Sequence, residues 1–316
     1  KLVSNPDVLL RLLDKIKHKE ILNSLHNDSE LFQIEHPWLF NFAEKYNKKG
    51  VPLFLSTHNC ETMLIKINNV VKKLIKFHKI EINALENADV IFAVSKEDIN
   101  AFKEALDVDI EEKKIYLLPN GVDTKQIKPT SQKEREYAKS LLGFENKKVI
   151  LFVGSIHKPN IEAVWEIIKI AKQFDSSYIF LVVGSVGEFF KKVVTPDNVV
   201  FTGFVEDISV YSKSADIALN PMLSGSGTNL KMLEYLALGL PIVSTPIGVR
   251  GLEIVNGKHA IITDISEFGY WIKELFNNSS LYFELSQNGR RLVEIYYDWK
   301  IITETAIKAY KKHGGL

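Results

Sequence analysis

Short apolar runs alternate along the chain with longer stretches in which apolar residues recur every three or four positions. That alternation predicts βα units and a parallel sheet. Strands are expected over 31–35, 51–56, 89–94 and 115–118, and after a break over 148–153, 178–183, 198–201, 216–220, 241–244 and 260–262. Most of these runs are continuous rather than alternating, as in strands covered on both faces. Between two of them, Ile161, Val164, Trp165, Ile168 and Ala171 keep helical spacing.

The break divides the pattern. Pro119-Asn-Gly-Val-Asp123 is a turn signal, and a polar stretch holding Pro129 follows it to Lys148. A boundary is therefore expected between Lys125 and Pro129. It leaves an N-terminal domain over 1–125, a C-terminal domain over 126–295, and a final helix over 296–316 whose Trp299 and Tyr310 are able to pack back across the first domain. The second half carries six strand runs and reads as a complete doubly wound domain. The first half has four and opens on a helical pattern over 8–25 with no strand before it. A βα domain ordinarily begins with a strand, so this half is expected to lack its first βα unit or units.

Composition narrows the classes. With 46% hydrophobic and 25% charged residues in 316, the chain is globular and not a low-complexity or collagen-like sequence. Its net charge of +1 gives no electrostatic case for nucleic acid. Only five of the 40 basic residues are Arg, so an anion site would lean on Lys and backbone N–H groups. Cys60 is the single cysteine, which excludes an internal disulfide or a multi-thiolate metal site and fits a cytoplasmic setting. No apolar run nears the ~20 residues of a membrane helix, and no signal peptide is apparent.

In open parallel sheets ligands bind beyond the carboxyl ends of the strands. Of eight histidines, His36, His58 and His157 follow expected strands. The richest block is 224–239, Ser-Gly-Ser-Gly-Thr-Asn-Leu-Lys-Met-Leu-Glu-Tyr-Leu-Ala-Leu-Gly, just past a strand and running into a helix. A glycine turn opening a helix offers free N–H groups and the positive end of the dipole to a phosphate. Lys231 and Glu234, three apart, share a helix face and suit a diphosphate followed by a ribose diol; a surface salt-bridge pair explains them equally well. No Gly-x-x-x-x-Gly-Lys-Ser/Thr, His-Glu-x-x-His or Gly-x-Ser-x-Gly motif competes.

Taken in order, Glu35-His-Pro-Trp-Leu39, Thr57-His-Asn59, Ala88-Asp-Val-Ile-Phe-Ala-Val-Ser95, Leu118-Pro-Asn-Gly-Val-Asp123, Phe152-Val-Gly154, Phe201-Thr-Gly-Phe-Val205, Ala215-Asp216, the block from Gly225 to Glu234, Gly239-Leu-Pro-Ile-Val-Ser-Thr245 and Gly248 resemble the family 4 (group 1) retaining glycosyltransferases. The resemblance implies an α/β chain of two Rossmann-like doubly wound domains (GT-B). It implies an N-terminal acceptor domain, a C-terminal donor domain, and catalysis in the cleft between them, with closure about the linker at 119–129.

By that resemblance Glu234 holds the donor ribose hydroxyls, and Gly203, Phe204 and Val205 flank the base. Lys231 and the N–H groups of Gly225, Ser226, Gly227, Thr228, Asn229 and Leu230 face the diphosphate, with Gly154, His157 and Lys158 nearby. His58 matches the histidine beside the transferred sugar, and with Lys231 forms the expected catalytic pair. No cofactor and no metal are expected. The partners implied are a nucleotide-sugar donor and a sugar or lipid-linked acceptor, in surface polysaccharide or glycolipid synthesis in the cytoplasm or at the inner face of a membrane. A lysine face (Lys66, Lys72, Lys73, Lys76, Lys79) offers peripheral membrane contact, with a solvated helix face as the preferred reading.

The chain departs from the family pattern in three places. Ser226 stands where many relatives carry a first glutamate, Ser155 and Asn160 stand where a basic pair is common, and the glycine-rich first loop of the acceptor domain is missing. Bland explanations remain for single residues: His58 as a strand-end cap, Glu35 and His36 as a strand end before the Pro37 turn (the favoured reading), His157 and Lys158 as a solvated turn, and Arg250 as a bystander near the sheet edge. The rival functions are a GT-B nucleotide-sugar epimerase, an inactive GT-B binding subunit and a dinucleotide dehydrogenase; the last is disfavoured by the missing Gly-x-Gly-x-x-Gly.

Overall fold

The computed structural model describes residues 29–47, 49–60, 71–105, 107, 114–225 and 227–314. The expected helix over 8–25, Ser226 and Lys66 lie outside them, as do the side chains of Lys72, Lys73 and Lys76. Each of the ten expected strand runs contains a strand. Contacts divide the chain into two compact units, Lys1–Pro119 with Ile302–Leu316, and Asn120–Ile301.

In the first unit β1 (Phe32–Glu35), β2 (Leu53–Ser56), β3 (Val90–Ala93) and β4 (Ile115–Leu117) lie parallel in sequence order. The continuous apolar runs follow from burial on both faces. Leu53, Leu55, Ile91 and Ala93 pack with Phe40, Ala84, Leu85 and Phe102. The alternate residues Phe54, Val90 and Phe92 pack with Ala306 and Ala309 of the helix Trp299–Gly314. On that face the Tyr310 ring sits 5.1 Å from Phe54 and 5.6 Å from Phe92. Trp299, at the other end of the helix and in the second unit, stays half exposed and does not join this layer.

The second unit holds β5 (Lys148–Val153), β6 (Tyr178–Val183), β7 (Val199–Gly203), β8 (Ile217–Asn220), β9 (Ile242–Ser244) and β10 (Ile261–Ile262) in the order β10-β9-β8-β5-β6-β7, all parallel. The helices Lys158–Ala171 and Phe268–Asn277 cover one face, and Leu230–Ala237 covers the other. Strand order reverses between β5 and β8, so the crevice for a ligand opens at their carboxyl ends.

The division falls at Pro119, earlier than the expected 125–129. The residues after the Pro-Asn-Gly turn are tied into the second unit. Val122 N–H donates to the Tyr297 carbonyl at 2.8 Å, Trp299 N–H donates to the Val122 carbonyl at 3.2 Å, and the Thr124 hydroxyl donates to Asp298. Arg290 completes the anchorage, its guanidinium donating to the carbonyls of Ile127 and Ala237 at 2.6 Å and of Thr124 at 2.7 Å.

Arg290→Ala is expected to lower the stability of the second unit by about 2–3 kcal/mol, because charge-assisted bonds to three carbonyls are lost together. Urea denaturation followed by tryptophan fluorescence checks this. Glu294→Ala, which removes only an exposed ion-pair partner of Arg290 at 2.7 Å, should move the midpoint little.

Candidate active site

Gly154 follows the last residue of β5, and Gly184 follows that of β6 beside it. Gly184 has φ +104°, and a Cβ there would lie 2.5 Å from the Gly154 carbonyl oxygen, so only glycine lets the two strand ends meet. The Gly184 N–H donates to the Gly203 carbonyl at 3.1 Å, which links the end of β7 as well. Beside Gly203, a pocket of about 210 Å³ is lined by Glu188, Lys191, Phe201 and Thr202 among others. Phe204 is exposed past the strand end, and Val205 packs against the core.

Across the crevice, β8 runs into the glycine loop. Gly225 (φ +131°) and Gly227 (φ +69°) take backbone conformations that L side chains rarely adopt. The helix Leu230–Ala237 follows, with Leu230 exposed at its first turn. Asn229 precedes the helix without capping it, and its amide donates instead to the Gly248 carbonyl at 3.1 Å. The first N–H groups of the helix therefore stay available to an outside acceptor. The Thr228 hydroxyl is buried with no hydrogen-bond partner, a donor in want of a ligand. Arg250 donates to the Gly227 carbonyl at 3.3 Å and so steadies this loop.

Lys231 does not reach out to solvent as a surface pair would. Its ammonium lies 4.1 Å from the Phe152 ring centroid and donates to Asn160 Oδ1 at 2.9 Å. Asn160 is fixed in turn by its bond to the Ser155 carbonyl at 3.0 Å. Burial pushes the Lys231 pKa down to about 7, against a smaller opposing pull from Glu234. Burial raises the Glu234 carboxyl above its ordinary value, and Lys231 partly offsets that. The helix is locked to β5 by the Tyr235 hydroxyl, which accepts from Val153 N–H at 2.7 Å.

The other sequence candidates fall into place unevenly. Gly154 is buried at the strand end, but His157 is an exposed N-cap residue whose side chain caps nothing. Lys158 is exposed and lies 3.7 Å from Glu162, which accepts from the Ser224 hydroxyl at 2.5 Å. His58 belongs to the first unit, where its Nε2 lies 3.0 Å from Glu35 Oε2. Three participants were not read from the sequence as site residues. In the sequence Asn160 stands only as a missing base, Phe152 only as part of the Phe152-Val-Gly154 run, and Glu35 as a strand end. Their contacts run between elements, where spacing along the chain carries no signal. Among the described residues, no three His, Cys, Asp or Glu side chains gather as a metal site would need, and no helix is long and apolar enough to cross a membrane.

Residues 147–278, the greater part of this unit, match the family model described as glycosyl transferases group 1. The second unit is thus similar to the group 1 glycosyl transferases over that stretch. Among curated relatives, mannosylfructose-phosphate synthase of Agrobacterium fabrum is 24% identical over 245 residues, 71% of this chain and 53% of that protein. Spore coat protein SA of Bacillus subtilis is 28% identical over 221 residues, 61% of this chain and 58% of that protein. The chain thus spans little more than half the length of these relatives. The solved structure of Anabaena HepE in complex with UDP superposes with a TM-score of 0.76 at 16% identity, covering 93% of this chain and 81% of that one. At that identity the likeness is one of fold, the two parallel-sheet units of GT-B proteins.

The second unit carries a desolvated cation, which has a cost that depends on pH. Folding takes Lys231 from its ordinary 10.5 to about 7, so between those values the folded chain holds fewer protons than the unfolded chain. Its penalty is full below pH 7 and fades as pH climbs toward 10.5. Lys231→Met, which keeps the length and the contact with Phe152, is expected to stabilise the protein by about 1–2 kcal/mol at pH 6, as removal of a functional strain does. The gain should shrink by pH 10. Thermal unfolding of both proteins across that range measures it.

Proposed function

We propose that this chain transfers a sugar from a nucleotide-diphosphate sugar to an acceptor hydroxyl with retention of anomeric configuration. The observation that carries the reading is the crevice at the β5–β8 switch point. A glycine loop and a free helix start there lie beside a half-titrated lysine, with a carboxylate one helical turn deeper. This arrangement suits a diphosphate followed by a ribose. Anabaena HepE, solved with UDP and with UDP-glucose, supports a donor of that class.

In this reading Glu234 accepts the ribose hydroxyls and the Gly203–Val205 turn flanks the base. The bond between the anomeric carbon and the terminal phosphate oxygen breaks, and the acceptor oxygen bonds to that carbon on the same face. The acceptor proton passes to the departing phosphate. Lys231, the Thr228 hydroxyl and the N–H groups of Gly227 to Leu230 stabilise the charge that develops there, a term worth ~2.7–4 kcal/mol per donor in measured cases. These groups neutralise the leaving diphosphate without calling on a metal. His58, in the first unit, is the candidate for a contact with a sugar hydroxyl. The acceptor is a sugar or lipid-linked glycan of surface polysaccharide or glycolipid synthesis, met in the cytoplasm at the inner membrane face.

Calorimetry with UDP, GDP, dTDP and ADP, their sugar conjugates and NADH tests this. One nucleoside diphosphate series should bind, with affinity lowered about tenfold or more by Glu234→Ala and by Lys231→Ala, the scale of a hydrogen bond to a charged group. Silence from every sugar nucleotide, or binding of NADH instead, overturns the reading.

The pH dependence follows from Lys231. A bound diphosphate raises the lysine pKa from about 7, so binding takes up a proton above that pH. Affinity for the sugar conjugate, whose diphosphate has no group titrating near neutrality, should therefore fall as pH rises from 7 to 9. Lys231→Met should bind more weakly at pH 7 and show a flat profile.

A further inference from the structure

The first unit carries a line of hydrogen bonds that ends on His58. The Tyr310 hydroxyl, on the helix Trp299–Gly314, donates to Gln33 Oε1. Gln33 Nε2 donates to Glu35 Oε1 at 2.5 Å, and Glu35 Oε2 meets His58 Nε2 at 3.0 Å. On its other side the His58 ring faces His36, with centroids 4.4 Å apart, and His36 is itself stacked on Trp38 at 4.3 Å and 12°. His36 holds φ +90° and a buried Nδ1 with no partner. A non-glycine residue keeps such a conformation only where its surroundings over-determine it, which happens chiefly at functional sites.

We propose that Glu35 is a positioning residue that keeps His58 in the tautomer protonated at Nε2, and that Gln33 and Tyr310 hold Glu35 in that role. An ionised carboxylate accepts and cannot donate, so the ring nitrogen facing it must carry the proton. Burial by itself would raise the Glu35 carboxyl, but hydrogen bonds from Gln33, Ser56 and His58 outweigh it and leave the group below its ordinary value and ionised. A neutral His58 then has its lone pair on Nδ1, free to accept from a hydroxyl of a sugar. An exposed carboxylate–imidazole pair alone would be weak. The stack beneath His58 and the amide and phenol behind Glu35 remove the freedom that weakens such pairs. The use of the lone pair on a sugar rests on the transfer reading; the tautomer does not.

The test is nitrogen NMR of the full chain labelled at histidine, at about pH 9, where an ordinary imidazole is neutral. A His58→Gln spectrum identifies the His58 signals. In the parent protein one His58 nitrogen should be of the protonated type and the other of the lone-pair type, with the proton on Nε2. Glu35→Gln keeps the shape but lets the amide donate or accept, so the two nitrogens should move toward a common averaged position. Tyr310→Phe, which keeps the ring between Phe54 and Phe92, should move them part of the way. A proton on Nδ1 in the parent, or identical His58 shifts in parent and Glu35→Gln, overturns the proposal. Identical shifts in Tyr310→Phe overturn the part assigned to Tyr310 and Gln33. A merely structural role would alter the melting temperature and leave the tautomer alone. Failure of all sugar nucleotides to bind would sink the transfer reading without touching this result.

Discussion

An ammonium group taken out of water with only neutral groups in direct contact is the constraint around which the second unit is arranged. Lys231 meets the face of Phe152 and the carbonyl oxygen of Asn160, neither of which repays full desolvation of a charge. Such a group persists only if the scaffold leaves it no cheaper conformation. Phe152 comes from the central strand β5, which hydrogen-bonds on both sides, to β6 and to β8. Asn160 comes from the helix following β5, and Lys231 itself from the helix following β8. The strand-order reversal sends those helices to opposite faces of the sheet, and that separation opens the crevice where the three meet.

The backbone around this cation is fixed with equal economy. Tyr235, four residues beyond Lys231 and on the same helix face, spends its hydroxyl on the Val153 N–H at the last residue of β5. The burial of that phenol raises its pKa, so it stays neutral and the link holds across the working pH range. One residue later, Gly154 meets Gly184 at a distance no side chain would allow, which gathers the ends of β5 and β6 into one rim. A shift of the lysine helix would strain these contacts together, so a ligand meets a site already shaped rather than one it must assemble.

What the sequence made legible was local. The ten strands announced themselves mainly because both sheets are covered on two faces, turning most strands into continuous apolar runs. The glycine loop and its helix were legible for the same reason, since the loop, the helix start, Lys231 and Glu234 lie within one short stretch. Contacts closed through space were not. Asn160 looked like the loss of a basic residue, yet it is the acceptor that orients Lys231. Glu35 looked like a strand end, and Tyr310, expected against the first domain, had no pattern that singled out Gln33 as its partner. The contact division at Pro119 was hidden by the same limit. The polar composition after Pro119 suggested a linker, whereas Val122 and Thr124 are bound by residues near 298.

The two units hold their polar groups by opposite means. In the first, His58 is exposed and faces a formal charge, so solvent and Glu35 share the task of orienting it. In the second, Lys231 hydrogen-bonds to a neutral amide and feels Glu234 only through space, and desolvation makes it responsive to whatever anion arrives. Where the family pattern has a basic pair, Ser155 and Asn160 contribute none, so the positive potential of this crevice comes from one lysine near half-titration and from backbone dipoles. Dipoles do not titrate. As pH rises through neutrality the lysine share drops while the helix start and the glycine loop keep theirs, so the positive potential of the crevice weakens without vanishing. A second permanent cation at Asn160 would flatten that dependence, but it would also remove the acceptor that holds Lys231 in place and set a like charge beside it. The neutral residue is therefore consistent with the lysine it supports, and the apparent loss of a base at this position is part of how the remaining one is kept.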